Sequence, residues 1–133
     1  MTHPVKLLME FHAAAGLPFK TSTAWANALY QDHLSNPDKI AIVRDRGVLL
    51  GAIGQSPLGP FKVAHEVAWW VSPDARGVGL GMLREYEAWA WSQGVFGIEV
   101  KSLAMFPQAD KIYERAGFTA LEMSWVKWQS SPQ

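Results

Sequence analysis

Cysteine is absent from the 133 residues of this chain, which therefore forms no disulfide, thiolate zinc site or catalytic thiol. Long apolar runs are also missing: none approaches the roughly 20 residues that span a bilayer. Lys6 and Glu10 interrupt the apolar stretch at the N-terminus, so a signal peptide is not expected. The sequence predicts no membrane segment, and the cytoplasm is the default expectation for its location.

An excess of charge is lacking too, because 12 Lys and Arg residues balance 12 Asp and Glu residues. A chain without a net field is not expected to bind nucleic acid. The four histidines (His3, His12, His33 and His65) include no pair four residues apart, so a bound metal is not expected either. The length and the 49% apolar content predict one domain over residues 1–133 with a substantial core.

The most informative stretch of the sequence runs over residues 66–81. Val67–Val71 is an apolar, strand-forming run that Ser72 and Pro73 end. Gly77, Gly79 and Gly81 follow, where a helix that continues to about Ser92 begins. Glycine allows close approach of another group, and the N–H groups of a helix start attract anions. This pattern predicts a phosphate site, or alternatively a corner that uses glycine only for tight packing.

The spacing of these glycines excludes two common phosphate motifs. Met82 stands where the dinucleotide fingerprint needs its third glycine, and no Gly-Lys-Ser/Thr triplet exists for a P-loop. What fits is Arg-x-x-Gly-x-Gly, as Arg76, Gly79 and Gly81, after a Val-x-Pro-x-x-Arg lead-in that starts at Val71. A second pattern, Ala-x-x-x-Tyr-x-x-x-Gly-Phe, runs from Ala109 to Phe118. Together these resemble the signatures of the GNAT superfamily, the acyl-CoA-dependent N-acyltransferases.

Periodicity and turn residues predict the order helix, helix, three strands, helix, strand, helix, strand. The predicted bounds are Val5–Ala15, Ser22 or Thr23 to before Asn36, Lys39–Arg44, Val48–Ile53, Val67–Val71, Gly79–Ser92, Ile98–Leu103, Pro107 to before Gly117, and Thr119–Trp128. The fold class is α/β (α+β). The resemblance covers about residues 5–128 and implies a mixed, mostly antiparallel sheet flanked by helices, with trimmed terminal strands. Trimmed sheet edges leave backbone that a second copy can cover, so a homodimer is an open expectation.

The resemblance implies acetyl-CoA as the acyl donor and assigns roles by position. The cofactor-binding residues would be Trp69 and Val71 on the central strand, whose backbone polarises the acetyl group, and the diphosphate cradle Arg76, Gly77, Val78, Gly79, Leu80 and Gly81. Phe106 stands where the family often has asparagine, and Gln108 is an alternative polar contact to the pantetheine arm.

Catalytic roles follow from the same positions. Tyr113 would be the general acid for the leaving thiolate. The base would be His65, Glu66 or a water, and strand alternation sends His65 to the same face as Val67, Trp69 and Val71.

These assignments predict an N-acetyltransferase that moves an acetyl group from acetyl-CoA to a primary amine by direct attack in a ternary complex. No cysteine is available to carry a covalent acyl group. The acceptor, a small molecule or a protein amine, is left open. An alternative function is a GNAT-fold binding protein that acts as an inhibitor or adaptor of a larger protein. The missing asparagine, the trimmed edges and the seven tryptophans favour that alternative.

Overall fold

The computed structural model describes residues 2–103 and 108–129. Two helices come first, α1 (His3–Ala15) and α2 (Thr23–Ser35), as the apolar spacing predicts. Gly16 ends α1 with a φ of 64°, a left-handed conformation that glycine adopts without strain. Ser22 caps α2 because its hydroxyl accepts a hydrogen bond from the Trp25 N–H at 3.1 Å. None of the helices in the described residues combines the length and apolarity needed to cross a membrane.

Four strands form one mixed sheet in the order β1-β2-β3-β4. They are β1 (Lys39–Arg44), β2 (Gly47–Gln55), β3 (Lys62–Val71) and β4 (Gly97–Glu99). β1, β2 and β3 pair antiparallel, whereas β4 lies parallel to β3. The predicted fold class, a mixed and mostly antiparallel sheet with flanking helices, is therefore confirmed.

The parallel connection from β3 to β4 passes through α3 (Gly79–Ser92), which a short 3₁₀ helix at Pro73–Val78 precedes. After β4 comes α4 (Gln108–Arg115), and Gly117 follows it with a φ of 91°. The predicted start of this helix, Pro107, lies outside the described residues. The predicted glycine cap at its end is present.

Two of the strand predictions are wrong. The strand expected over Ile98–Leu103 starts at Gly97 and ends at Glu99, so the residues up to Leu103 leave the sheet. The last strand expected over Thr119–Trp128 is absent, and Trp125 is 88% exposed. Alternating apolar residues measure only local preference, whereas a strand also needs a neighbouring edge to supply its hydrogen bonds. The described structure gives this segment no such edge.

The sheet separates two apolar layers. On one face α1 and α2 pack on β2 and β3 through Val5, Leu7, Leu8, Ala26, Val48, Leu50, Ala68 and Trp70. On the other face α3 and α4 pack on the sheet through Ile42, Leu49, Ala64, Val71, Met82, Leu83, Tyr86, Ala90, Val95 and Tyr113. Burial on both faces explains why β2 is apolar along most of its length instead of alternating with polar residues.

Among the described residues, Tyr86 of α3 has the largest side chain that is completely buried, and it packs directly on β2 at Gly51. A Cβ atom added to Gly51 would come within 2.6 Å of the Tyr86 ring. The missing side chain at Gly51 therefore makes the room that Tyr86 occupies.

We predict that Gly51→Ala destabilises the protein by about 1–3 kcal/mol, because the new methyl group overpacks the Tyr86 ring. Gly54→Ala is the matched control in the same strand, since its Cβ would lie at an ordinary distance of 3.7 Å from the His65 ring. Urea denaturation of both variants measures the difference. Equal unfolding free energies for the two variants would contradict this account of the packing.

Candidate functional site

β3 and β4 pair over only a short length and then separate. Val63–His65 align with Gly97–Glu99, and β3 continues to Val71 while the chain after Glu99 leaves the sheet. Within the described residues, no strand pairs with this edge of β3 from Glu66 onward. Backbone N–H and C=O groups on that edge therefore face a gap between the strands, where a ligand can meet them.

A β-bulge lies in β3 beside this gap. Leu50 of β2 aligns with Ala68, but the next residue, Gly51, aligns with Glu66, so Val67 is the extra residue. An extra residue reverses the alternation of side chains beyond it. Glu66 therefore lies on the same side of the sheet as Trp69 and Val71, and the predicted parity of His65 with those residues is wrong. Sequence alternation alone contains no signal for the bulge.

Glu66 is a buried carboxyl group, 6% exposed, at the start of the gap. Burial raises its pKa from 4.5 to about 7, because a charged carboxylate loses its hydration there. The positive charge of Lys101 and a backbone hydrogen bond from the same residue oppose this shift. Glu66 is therefore partly protonated near neutral pH, which suits a group that accepts a proton during a reaction.

Tyr113 projects from α4 toward the same gap, and its ring lies 6.0 Å from that of Trp69. Its hydroxyl donates to the Lys101 carbonyl at 2.6 Å, and the Tyr86 hydroxyl similarly donates to the Glu99 carbonyl at 3.1 Å. These two bonds anchor the chain after β4 to the helices. Burial raises the pKa of Tyr113, so its phenol holds its proton at neutral pH.

His65, the other residue predicted as a base, occupies a different position. Its Nδ1 lies 2.6 Å from a carboxylate oxygen of Glu99, directly across the β3–β4 pair. Both side chains are about one-third exposed. The structure thus brings Glu66 and Tyr113 to one cavity, and His65 does not line that cavity.

The predicted phosphate cradle lies where the 3₁₀ helix meets α3. Among the described side chains, none caps this helix start: the N-cap residue Val78 offers no hydrogen bond, and the first turn contains no acidic residue. A Cβ added to Gly79 would lie 3.2 Å from the Trp69 indole, so this glycine is explained by packing. Gly77 and Gly81 are different: no described atom lies within 4 Å of a Cβ added at either. Leu80, which lies between Gly79 and Gly81, is exposed.

Two contacts hold this corner against the sheet. The Ser72 N–H donates to the Arg46 carbonyl at 2.8 Å, and the Arg46 guanidinium forms an ion pair with Asp74. The predicted phosphate ligand Arg76 has its backbone in the 3₁₀ helix, but its side chain lies outside what the structure describes, as does Phe106.

A cavity of about 270 Å³ occupies the gap between the strands. Gly79, Val71 and Tyr113 line it from the layer of α3 and α4, whereas Phe11 and Trp70 line it from the layer of α1 and α2. The cavity therefore passes through the sheet at the point where the strands separate. Side chains from both helical layers therefore meet at its walls.

Several residues that line this cavity escaped the sequence analysis as site residues, among them Phe11, Val67, Lys101 and Ile112. Val67 lines the cavity because of the bulge, and Lys101 lines it because β4 ends early. The local sequence reveals neither feature. Phe11 and Ile112 carry only the ordinary signal of an apolar helix face. Gln108, suggested as a polar contact, does line the cavity.

The family of the protein follows from its sequence pattern. Residues 6–118 match the pattern of the family described as Acetyltransferase (GNAT) family. The chain belongs to the GNAT family. A comparison with curated proteins finds no match.

Solved structures of GNAT proteins and related chains share the fold. A Pyrococcus furiosus protein described as a candidate acetyl transferase is 24% identical with a TM-score of 0.74, over 95% of this chain and 91% of that one. The aminoglycoside 6'-N-acetyltransferase AAC(6')-IG of Acinetobacter haemolyticus is 14% identical with a TM-score of 0.69, over 98% and 95%. The ribosomal-protein-alanine N-acetyltransferase of Brucella melitensis biovar Abortus 2308 is 17% identical with a TM-score of 0.68, over 94% and 90%.

The acyl-CoA donor used by GNAT enzymes can be tested against this site. A diphosphate needs close access to N–H groups at a helix start, and Gly77 and Gly81 leave that surface free. An amide-bearing arm needs donors in the gap, and the buried Trp69 Nε1–H has no hydrogen-bond partner among the described residues. The residues present therefore fit such a ligand.

The raised pKa of Glu66 makes a prediction for stability. Folding favours the protonated carboxyl, so the stabilisation is complete below pH 4.5 and is lost as the pH rises through about 7. We expect the unfolding free energy of the native protein, relative to Glu66→Gln, to fall between pH 5 and pH 8. The fall should be on the order of 3 kcal/mol, at about 1.4 kcal/mol for each pH unit of the shift. Urea titrations at several pH values measure it, and parallel curves for the two proteins would contradict the prediction.

Proposed function

We propose that the protein is an N-acetyltransferase that transfers the acetyl group of acetyl-CoA to a primary amine by direct attack in a ternary complex. One observation carries this proposal: the cavity between β3 and the chain after β4 brings together the Glu66 carboxyl, the Tyr113 side chain and the edge of β3 with which no described strand pairs. Membership in the GNAT acetyltransferase family supports acyl transfer as the reaction class.

The corner at Gly77–Gly81 would hold the diphosphate of the donor, and the edge of β3 at Trp69–Val71 would hold the arm that ends in the thioester. Acetyl-CoA supplies an activated acyl carbon for attack when it is bound. Backbone N–H groups at Trp69–Val71 would stabilise negative charge on the acyl oxygen, as fixed donors do in other acyl transfers. The low polarity of the surrounding side chains strengthens this interaction.

Glu66 would remove the proton from the attacking amine. Its pKa of about 7 leaves a substantial carboxylate fraction at neutral pH, together with enough basicity to accept a proton. Burial of the amine in the cavity disfavours its ammonium form, and this lowers the amine's pKa toward that of Glu66. The N–C bond then forms as the proton moves to the carboxylate.

Tyr113 would return a proton to the sulfur as the C–S bond breaks. Its phenol is fully protonated at neutral pH, and its hydroxyl lies in the gap on the Lys101 carbonyl. A turn of the hydroxyl away from that carbonyl frees the proton for donation. The absence of cysteine supports direct attack, since the chain has no thiol to carry the acetyl group.

Replacing Tyr113 with Phe tests this assignment. We expect kcat for thiol release from acetyl-CoA to fall about 100-fold or more, in the range lost with a general acid, while the Kd for acetyl-CoA stays within about twofold. Tyr86→Phe is the matched control, because it loses the same type of hydrogen bond to the chain at β4 but does not line the cavity.

The Tyr86→Phe control shows whether the Tyr113 hydroxyl takes part in the reaction or only anchors the backbone. Equal losses of kcat in Tyr113→Phe and Tyr86→Phe would show that the hydroxyl only anchors the backbone. Unchanged kcat in Tyr113→Phe would remove it from the mechanism. Absence of thiol release from the native protein with every amine, combined with tight binding to one protein partner, would favour the alternative function as an inhibitor or adaptor.

A further inference from the structure

The inference concerns the amine acceptor and rests on the proposed function. We infer that the acceptor is a primary amine that carries a single positive charge on an apolar aromatic body. Three properties of the cavity support this class: its charges, the side chains on the face of α1 and α2, and its size.

The charges that line the cavity allow for one ammonium group. Glu66 is the only carboxylate among the lining residues of the described chain, and Lys101 is the only cation. One carboxylate can pair with one amine. A second ammonium group inside the cavity would find no second carboxylate among the described lining residues, and an unpaired charge is costly in a poorly hydrated space.

The end of the cavity away from α3 and α4 is apolar and aromatic. Phe11 of α1 and Trp70 of β3 line it, with their ring centroids 6.2 Å apart and their planes tilted by 54°. The bulged residue Val67, 36% exposed, adds a further apolar side chain to the lining of the cavity. A flat apolar group fits against tilted rings of this kind, and its neighbouring ammonium group gains from their faces.

The size of the cavity limits what can enter. At about 270 Å³ it lies just below the roughly 300–1,000 Å³ typical of ligand pockets, and the arm of the donor needs part of this space. A compact arylalkylamine can place its amine beside Glu66 and its ring against Phe11. A polyamine-bearing oligosaccharide cannot bring its several charged rings inside.

The test compares three amines in a thiol-release assay with acetyl-CoA: 2-phenylethylamine, ethylamine and kanamycin. Ethylamine carries the same single charge as 2-phenylethylamine but lacks its ring, and kanamycin is polycationic. We expect kcat/KM for 2-phenylethylamine to exceed that of the other two by at least about tenfold, because burial of the ring contributes favourably. Calorimetry of 2-phenylethylamine in the presence of CoA measures its binding independently of turnover.

Two variants locate the aromatic wall. Phe11→Ala should lower kcat/KM for 2-phenylethylamine at least about tenfold more than it lowers the value for ethylamine, which has no ring to pack against Phe11. Phe96→Ala is the matched control, because Phe96 is 75% exposed and does not line the cavity. The kcat/KM values of the Phe96→Ala variant for the three amines should have the same ratios as those of the native protein.

The outcomes separate the acceptor class from the reaction itself. Turnover of kanamycin or ethylamine as fast as 2-phenylethylamine, or an equal loss for all amines in Phe11→Ala, would overturn the acceptor class and leave the proposed function in place. Binding of 2-phenylethylamine without any turnover would support the acceptor class and overturn the proposed function. If 2-phenylethylamine neither binds nor is turned over, the acceptor class is overturned.

Discussion

The early end of the pairing between β3 and β4 is the constraint on which the rest of the site depends. Once the strands separate after His65 and Glu99, one edge of β3 has no strand partner in the described structure. Unpaired backbone inside a protein is costly unless another group satisfies it. The hydroxyls of Tyr86 and Tyr113 hold the departing chain on the helices, so the gap is kept open by specific hydrogen bonds.

The bulge at Val67 determines which titratable side chain faces this gap. It places Glu66 on the same side of the sheet as Trp69 and Val71, where a carboxyl group meets the unpaired edge of β3 and the Tyr113 side chain. Residues of both helical layers line the cavity, which in the proposed reaction would let donor and acceptor approach from different faces of the sheet. Burial raises the pKa of both groups, so that Glu66 titrates near neutral pH and Tyr113 keeps its proton there.

The sequence predicted those features that local patterns encode. Helical spacing located α1, α2 and α3, the glycine pattern located the corner before α3, and the Ala109–Phe118 pattern located Tyr113 in α4. Features that depend on partners in space were missed or wrongly predicted. These are the bulge, the end of β4 at Glu99 and the absence of a strand over Thr119–Trp128. Each of these depends on which strand lies beside another, and neighbouring residues in the chain do not specify that.

A crystal structure of the protein with bound CoA tests the central claim most directly. The account predicts density for the pantetheine arm between Trp69–Val71 and Lys101–Leu103, with the diphosphate at Gly77–Gly81 and the sulfur within hydrogen-bonding reach of the Tyr113 hydroxyl. A structure in which the two chain segments close against each other, with CoA bound elsewhere, would contradict it.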